Sequence, residues 1–281
     1  MSSLEAGKLY IVATPIGNLE DITLRALRTL KEVDVIAAED TRRTVKLLNA
    51  YEIKNKLMSF HEYSSMGKLE EILDLMQQGK NVALVSDAGT PLVSDPGCFL
   101  VQKVYDAGLK VVVVPGPCAA IAALTQSGMD TGGFLFVGFL PQKQSRRREV
   151  LEMLNHCPYT SIVYESPHKL KKTLGELQNT FGEERKVALL KELTKLYEER
   201  LSGTLDEVNR ALENREIKGE YILVIEPYMQ GPNEELQDKQ IVEMLRQYIA
   251  QGCSKKDAIK KTCEQTGMGK NKVYNLANEL D

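Results

Sequence analysis

The sequence predicts an α/β protein in two α/β parts, followed by a small helical part. Three observations carry that expectation. Short apolar, β-branched runs alternate with helical patterns through the first 117 residues. A second set of such runs follows a loosening of the chain at Gly128, Gly132 and Gly133. Beyond Pro227 the pattern is helical throughout.

The first part opens with the strand-like run LYIVAT, Leu9 to Thr14. Similar runs cover Val33 to Ala38, Val82 to Ser86 and Val111 to Pro115. Unbroken apolar runs between helices read as a mostly parallel sheet covered on both faces. Leu24, Leu27 and Leu30 share one helical face, and a second helix over about Lys68 to Gln78 stops at Gly79, a C-cap residue. Ala119 to Leu124 is small and apolar and reads as a buried helix. The second set of strands is Phe134 to Leu140, Ser161 to Glu165, Val187 to Leu190 and Tyr221 to Glu226. The basic stretch Gln142 to Arg148 reads as a loop or helix start. Pro227, Gly231 and Pro232 read as a linker. Beyond it, Ile241, Met244, Leu245, Tyr248 and Ile249 line one helix, and Ser254-x-x-Asp257 opens another with Ala258, Ile259 and Cys263 inward. Gly267 and Gly269 break that helix, and Val273, Leu276 and Leu280 line a third. Two helices joined by a short glycine turn suggest a helix-turn-helix. The expected divisions are residues 1–117, 118–230 and 234–281.

At 281 residues the chain needs no disulfide or metal staple, and it carries a net charge of −3. Nucleic-acid contact must therefore come from local patches rather than from overall charge. The five cysteines form no C-x-x-C pair and the three histidines do not join them. That pattern excludes a zinc site and a disulfide framework and fits a reducing, cytoplasmic setting. No signal-peptide pattern and no run long enough for a membrane span is present.

The chemistry is expected at loops that leave the first-part strands. These are Thr14-Pro15-Ile16-Gly17-Asn18, Ser86-Asp87-Ala88-Gly89-Thr90-Pro91 and Pro115-Gly116-Pro117. Ligands of open α/β sheets bind beyond the carboxyl ends of strands, and glycine lets backbone come close to them. Any one such loop is ordinary turn chemistry, but three at successive strand ends point to a ligand site. Neither G-x-G-x-x-G nor a P-loop occurs, so a pyrophosphate cradle is poorly supported, and so is a ribose contact by Glu39 or Asp40. Ala37 to Arg43 (AAEDTRR) places paired acids and arginines at a strand exit, where a solvated helix start is the plainer reading. Tyr164 to Lys169 (YESPHK) follows a second-part strand and reads plainly as a turn. His61 and His156 read as structural.

Taken in order, AEDTRRT, SDAGTPLVSDPG, VPGP, FVGFLP, YESPHKL and KELTKLYEE closely resemble the ribosomal RNA small-subunit methyltransferase I family. The resemblance runs from about Lys8 to Glu226 and continues into the helical tail. It implies a tetrapyrrole methylase-like fold, with S-adenosylmethionine in a cleft between two α/β domains, and a homodimer. It also implies methylation of the ribose 2′-hydroxyl of a cytidine in the decoding region of 16S rRNA, within the small ribosomal subunit. Carried over by motif, the cofactor contacts are Pro15, Ile16 and Gly17, Asp87, Ala88, Gly89 and Thr90, and Pro115, Gly116, Cys118 and Ala119. Phe139, Leu140, Val163 and Tyr164 close over it from the second domain. Cys118 stands where the resemblance leads one to expect serine, and Gln142 where a basic residue is expected.

A ribose hydroxyl attacks well once its proton leaves, and a positioned base is worth roughly 10²–10⁴-fold. Asp40 or Glu165 is the expected base, Asp87 serves the cofactor loop, and Arg42 is expected to anchor the RNA backbone. Arg43, Lys143, Arg146, Arg147 and Arg148 are expected on phosphate, with Lys255, Lys256, Lys270 and Lys272 in the tail. From Cys253 to Asn275 six lysines face two acids. A small-molecule tetrapyrrole methylase needs neither basic stretch. A non-catalytic helix-turn-helix regulator would leave the strand-end motifs without a role.

Overall fold

The computed structural model describes residues 5–61, 66–94, 98–229, 232–266, 268 and 270–278. The chain falls into two compact units, residues 1–227 and 228–281.

The first unit opens with β1 (Lys8–Val12), a short 3-10 turn at Leu19–Asp21, α1 (Leu24–Glu32), β2 (Val35–Ala38), α2 (Thr41–Ala50) and β3 (Leu57–Ser59). Then come α3 (Met66–Gln77), β4 (Val82–Val85), α4 (Cys98–Asp106) and β5 (Lys110–Val114). The five strands form one parallel sheet in the order β3-β2-β4-β1-β5. The inner strands β1, β2 and β4 are covered on both faces, which is why their sequence runs are continuously apolar, whereas the edge strand β5 leaves Val113 exposed. Leu9, Ile11 and Leu84 pack against α3 and α4 on one face. Val12, Ala83 and Val85 pack against α1 and α2 on the other. The helix after β1 and the helix after β4 therefore lie on opposite faces of neighbouring strands. A crevice opens at the carboxyl ends of such a pair, which is where open α/β sheets bind ligands.

The unit continues through α5 (Ala119–Ser127), β6 (Phe134–Phe139), α6 (Gln144–Asn155), β7 (Thr160–Glu165) and α7 (Leu170–Phe181). It closes with β8 (Lys186–Lys191), β9 (Glu199–Thr204), α8 (Leu205–Leu212) and β10 (Tyr221–Ile225). This second sheet runs β6-β7-β10-β8-β9 and is mixed, since only β6 and β7 pair in parallel. Strand alternation splits its side chains between two layers. Val163, Val187, Leu189 and Leu223 face α6, α7 and α8, whereas Ile162, Ala188, Leu190 and Ile222 face α5. Each fully buried leucine or isoleucine contributes about 1.5–3 kcal/mol. The basic stretch expected as a loop or helix start is the first turn of α6.

The second unit holds α9 (Pro232–Ala250), α10 (Lys255–Thr266) and α11 (Lys270–Asn278). Ile241, Leu245, Ala258, Ile259, Val273 and Ala277 form its core. Ser254 caps α10 by accepting from the Asp257 N–H at 3.2 Å. Gly231, Gly267, Gly269 and Leu280, read above as linker, turn and helix residues, lie outside the described residues. No helix among the described residues is long and apolar enough to cross a membrane.

Helix α5 begins at Cys118, an extended N-cap whose side chain makes no capping bond. A thiol is a weak acceptor, whereas a hydroxyl at an N-cap satisfies a helical N–H. Cys118→Ser should therefore raise stability by up to about 1 kcal/mol, or roughly 2–4 °C in Tm, read by calorimetry.

Candidate active site

Backbone hydrogen bonds tie the three strand-end loops into one rim. The Thr14 N–H donates to the Gly89 carbonyl at 2.8 Å, and the Gly89 N–H returns to Thr14 at 3.0 Å. Gly89 has φ +80°, and a Cβ there would stand 3.2 Å from Ile16 Cγ2. The hydroxyl of Thr90 donates to the Pro117 carbonyl at 2.9 Å, which brings in the third loop. Behind this rim lies a cavity of about 340 Å³.

The opposite wall belongs to the second sheet. Its register against β7 shifts between Phe136 and Gly138, and Gly138 has φ +68°. A bulge of this kind re-aims the side chain that follows it. Phe139 thus joins Phe136 on the face that carries Tyr164, with ring centroids 5.7 Å and 5.0 Å from that tyrosine. The positive φ at residue 138 suits glycine, and a Cβ there would push aside the Ser94 hydroxyl of the β4 loop, 2.6 Å away.

Of the expected cofactor contacts, Ile16, Asp87, Ala88, Gly89, Thr90, Cys118, Ala119, Phe139 and Tyr164 line this cavity. The others do not. Pro15 and Gly17 line a neighbouring cavity instead. Pro115 and Gly116 are exposed and do not line the cavity wall, and a Cβ on Gly116 would point toward Ala13 Cβ at 3.0 Å. Leu140 and Val163 are buried in the layer against α6 and α7, behind the sheet. Val93, Ser94, Leu190, Leu193, Glu220 and Ile222 also line the cavity, none of them expected from sequence, and so does Glu39, for which the sequence supports a ribose contact only poorly. Leu190 and Ile222 reach the cavity because β8 and β10 pair in register with Tyr164 on the same face, a pairing that the sequence does not show. No local signal marks Glu220.

The structure corrects the two expected bases. Glu165 sits at the end of β7 on the side away from the cavity and is 5% exposed. Its carboxylate accepts from the Ser166 N–H at 2.7 Å and from the Thr173 hydroxyl at 2.6 Å. Arg147, expected on RNA, is equally buried and lies 3.8 Å from the same carboxylate. Arg147 also donates to Glu176 at 2.6 Å and to Thr173 at 2.6 Å. These groups form a satisfied internal network, so Glu165 is placed for structure and Arg147 has no access to phosphate. Helical periodicity explains the latter, since α6 turns Arg147 inward with Leu151 and Leu154 and leaves Lys143, Arg146 and Arg148 exposed.

Asp40 is the N-cap of α2 and accepts from the Arg42 N–H at 2.8 Å. The Arg42 guanidinium grips the same carboxylate at 3.0 and 2.7 Å. Arg42's side-chain bonds, then its N–H, hold the Asp40 carboxyl down at about 2. A carboxylate that acidic is a poor general base at neutral pH, and Arg42, expected as the phosphate anchor, is already paired. Beside them, Asp87 accepts from the Asp40 N–H at 3.1 Å and meets Arg43 Nε at 3.4 Å. Glu39 accepts from the Asp87 N–H at 3.4 Å.

In the second unit, Lys256 is exposed and Lys255 half-buried. Lys272 pairs with Asp238 at 2.9 Å. The side chain of Lys270 lies outside the described residues. Among the described residues no cluster of acids, histidines and cysteines has the makings of a metal site.

A family model described as Tetrapyrrole (Corrin/Porphyrin) Methylases matches residues 8–209. The chain is 44% identical to a ribosomal RNA small subunit methyltransferase I of Halalkalibacterium halodurans, covering 98% of this chain and 96% of that one. It is 43% identical to the protein of that name in Bacillus subtilis, covering 96% and 94%. In fold it is similar to a uroporphyrin-III C-methyl transferase of Thermus thermophilus, solved as a complex with S-adenyl homocysteine. That match has a TM-score of 0.56 and 21% identity, and it covers 78% of this chain and 97% of the other.

Two measurements check these assignments. Arg147→Ala takes the neighbouring cation, 3.8 Å away, from the buried Glu165 carboxylate, and a loss of about 3–5 kcal/mol is expected in urea unfolding. Little change would mean that the network is not closed in solution. Asp40's contribution to stability is full above its unfolded value of 3.8 and is lost as pH falls through about 2. Carboxyl-carbon NMR should give a midpoint near 2 for Asp40, whereas a midpoint near 3.8 would show that the Arg42 grip does not hold.

Proposed function

The chain belongs to the tetrapyrrole methylase family and, within it, to the ribosomal RNA small subunit methyltransferase I proteins; from that membership we propose how its residues methylate 16S rRNA. The methyl donor is S-adenosylmethionine, and the acceptor is the ribose 2′-hydroxyl of a cytidine in the decoding region. The character of the cavity supports this reading most directly. Its charged lining is Glu39, Asp87 and Glu220, with no lysine or arginine among the lining residues. Asp87 is met by Arg43 and Glu220 by Lys195, so Glu39 leaves the wall with a negative charge that suits a donor bearing a sulfonium and an ammonium, alongside the aromatic faces of Phe139 and Tyr164. The volume also lies within the range of small-molecule sites.

The bound sulfonium supplies an already activated methyl group. The protein's task is then to align the ribose oxygen in line with it, which is the larger part of such a barrier. Ile16, Ala88, Gly89, Thr90 and Ala119 shape the donor seat on the side of the first sheet. Phe139 and Tyr164 close it from the second. With Asp40 held by Arg42 and Glu165 behind the sheet, the hydroxyl proton passes to water. Lys143, Arg146, Arg148 and the exposed tail lysines contact RNA phosphates on the assembled subunit. A homodimer, implied by the resemblance, draws support from Val113 and Ile121, apolar yet 56% and 45% exposed. A tetrapyrrole acceptor is disfavoured, because residues 228–281 lie beyond the 8–209 match to the methylase model.

The test supplies labelled S-adenosylmethionine to small subunits that lack this modification. Label should appear in 16S rRNA and, after digestion, as ribose-methylated cytidine. Label confined to an added tetrapyrrole would overturn the reading.

A further inference from the structure

Beside the donor cavity lies a second one, of about 270 Å³, and Asp87 belongs to both walls. The two differ in charge. The donor cavity is lined by carboxylates, whereas the second presents Arg43 and Lys46. These cations stand three residues apart on α2 and so share a face. The charge of Asp87 is already met by Arg43 Nε at 3.4 Å and by the Asp40 N–H at 3.1 Å. Lys46 has no carboxylate partner among the described residues. The wall therefore holds one net positive charge, on Lys46.

We propose that this cavity seats the backbone phosphate next to the acceptor ribose, with Lys46 as the positioning cation. The inference rests on the RNA methyltransferase reading above. In RNA the 2′-oxygen and the 3′-phosphate are carried by adjacent ribose carbons. A site that methylates the first needs an anion seat a few ångströms from its methyl donor. Two cavities of opposite charge that share one residue meet that requirement. The loop from β1 serves both, with Ile16 in the donor cavity and Pro15 and Gly17 in the phosphate cavity. A Cβ at Gly17 would meet the backbone carbonyl of Leu193 at 2.9 Å, besides the side chains of Thr194 and Lys195.

The experiment uses the full chain, unmodified small subunits and S-adenosylmethionine. Lys46→Gln should raise KM for subunits about tenfold, as expected for a lost charge-assisted bond, with kcat nearly unchanged. The salt dependence of subunit binding should become shallower by about one phosphate contact. Lys46→Arg should restore most of the affinity, and calorimetry should give an unchanged cofactor Kd for both variants. An unchanged KM in Lys46→Gln overturns the proposal. So does a raised cofactor Kd, which would hand the cavity to the donor's own carboxylate. If wild-type protein labels no RNA, the functional reading fails and the subsite with it. If wild type labels RNA and Lys46→Gln is indistinguishable from it, only the subsite fails.

Discussion

Two backbone hydrogen bonds between Thr14 and Gly89 hold together the rim on which both cavities depend. They join the loops that leave β1 and β4, neighbouring strands whose following helices lie on opposite faces. Chain that would otherwise diverge is thereby kept in contact. The pairing needs φ +80° at residue 89, which glycine adopts without strain. Once it forms, alternation along residues 15–17 is set, and one loop lines two cavities of opposite character.

The second sheet meets this rim through one irregularity. A regular strand would alternate Phe136 and Gly138 on one face and turn Phe139 to the other. The bulge at Gly138 breaks that alternation and places two aromatic rings around Tyr164 on the cavity side. The same glycine leaves room for Ser94 of the β4 loop, so the aromatic wall and the loop arrive together.

Charge is sorted by burial. Arg147, Glu165, Glu176 and Thr173 satisfy one another inside the second α/β layer, where an unpaired member would be costly. At the rim the charges stay partly wet. Asp40 is spent on capping α2 and on Arg42, while Arg43 and Asp87 form the partition between the cavities. Similar motifs, AEDTRR and YESPHK, thus end in different physical roles, because Asp40 and Arg42 stand at a solvated helix start whereas Glu165 is buried against α7 beside Thr173.

Much of the fold was legible in the sequence, because its signals are local. Continuous apolar runs marked β1, β2, β4 and β5, and glycine- and proline-rich strand ends marked the rim. Helical spacing marked the three tail helices. The family motifs supplied the donor and the acceptor. β9 was missed although it is six residues long, since its polar, partly exposed residues carry no apolar run, and β3 was missed because three residues make no run at all. The site was legible only where backbone chemistry dictates it. Which way a side chain points is decided by strand parity, a bulge and the helix that covers the far face. Glu165 and Val163 stand one residue either side of Tyr164, so the sheet turns them away from the cavity that tyrosine lines. Sequence alone determined which strand-end loops build the rim, because glycine and proline mark them locally; only the packed sheets decided which carboxylates and cations face the cavities, because that depends on strand parity and on the helix covering the far face.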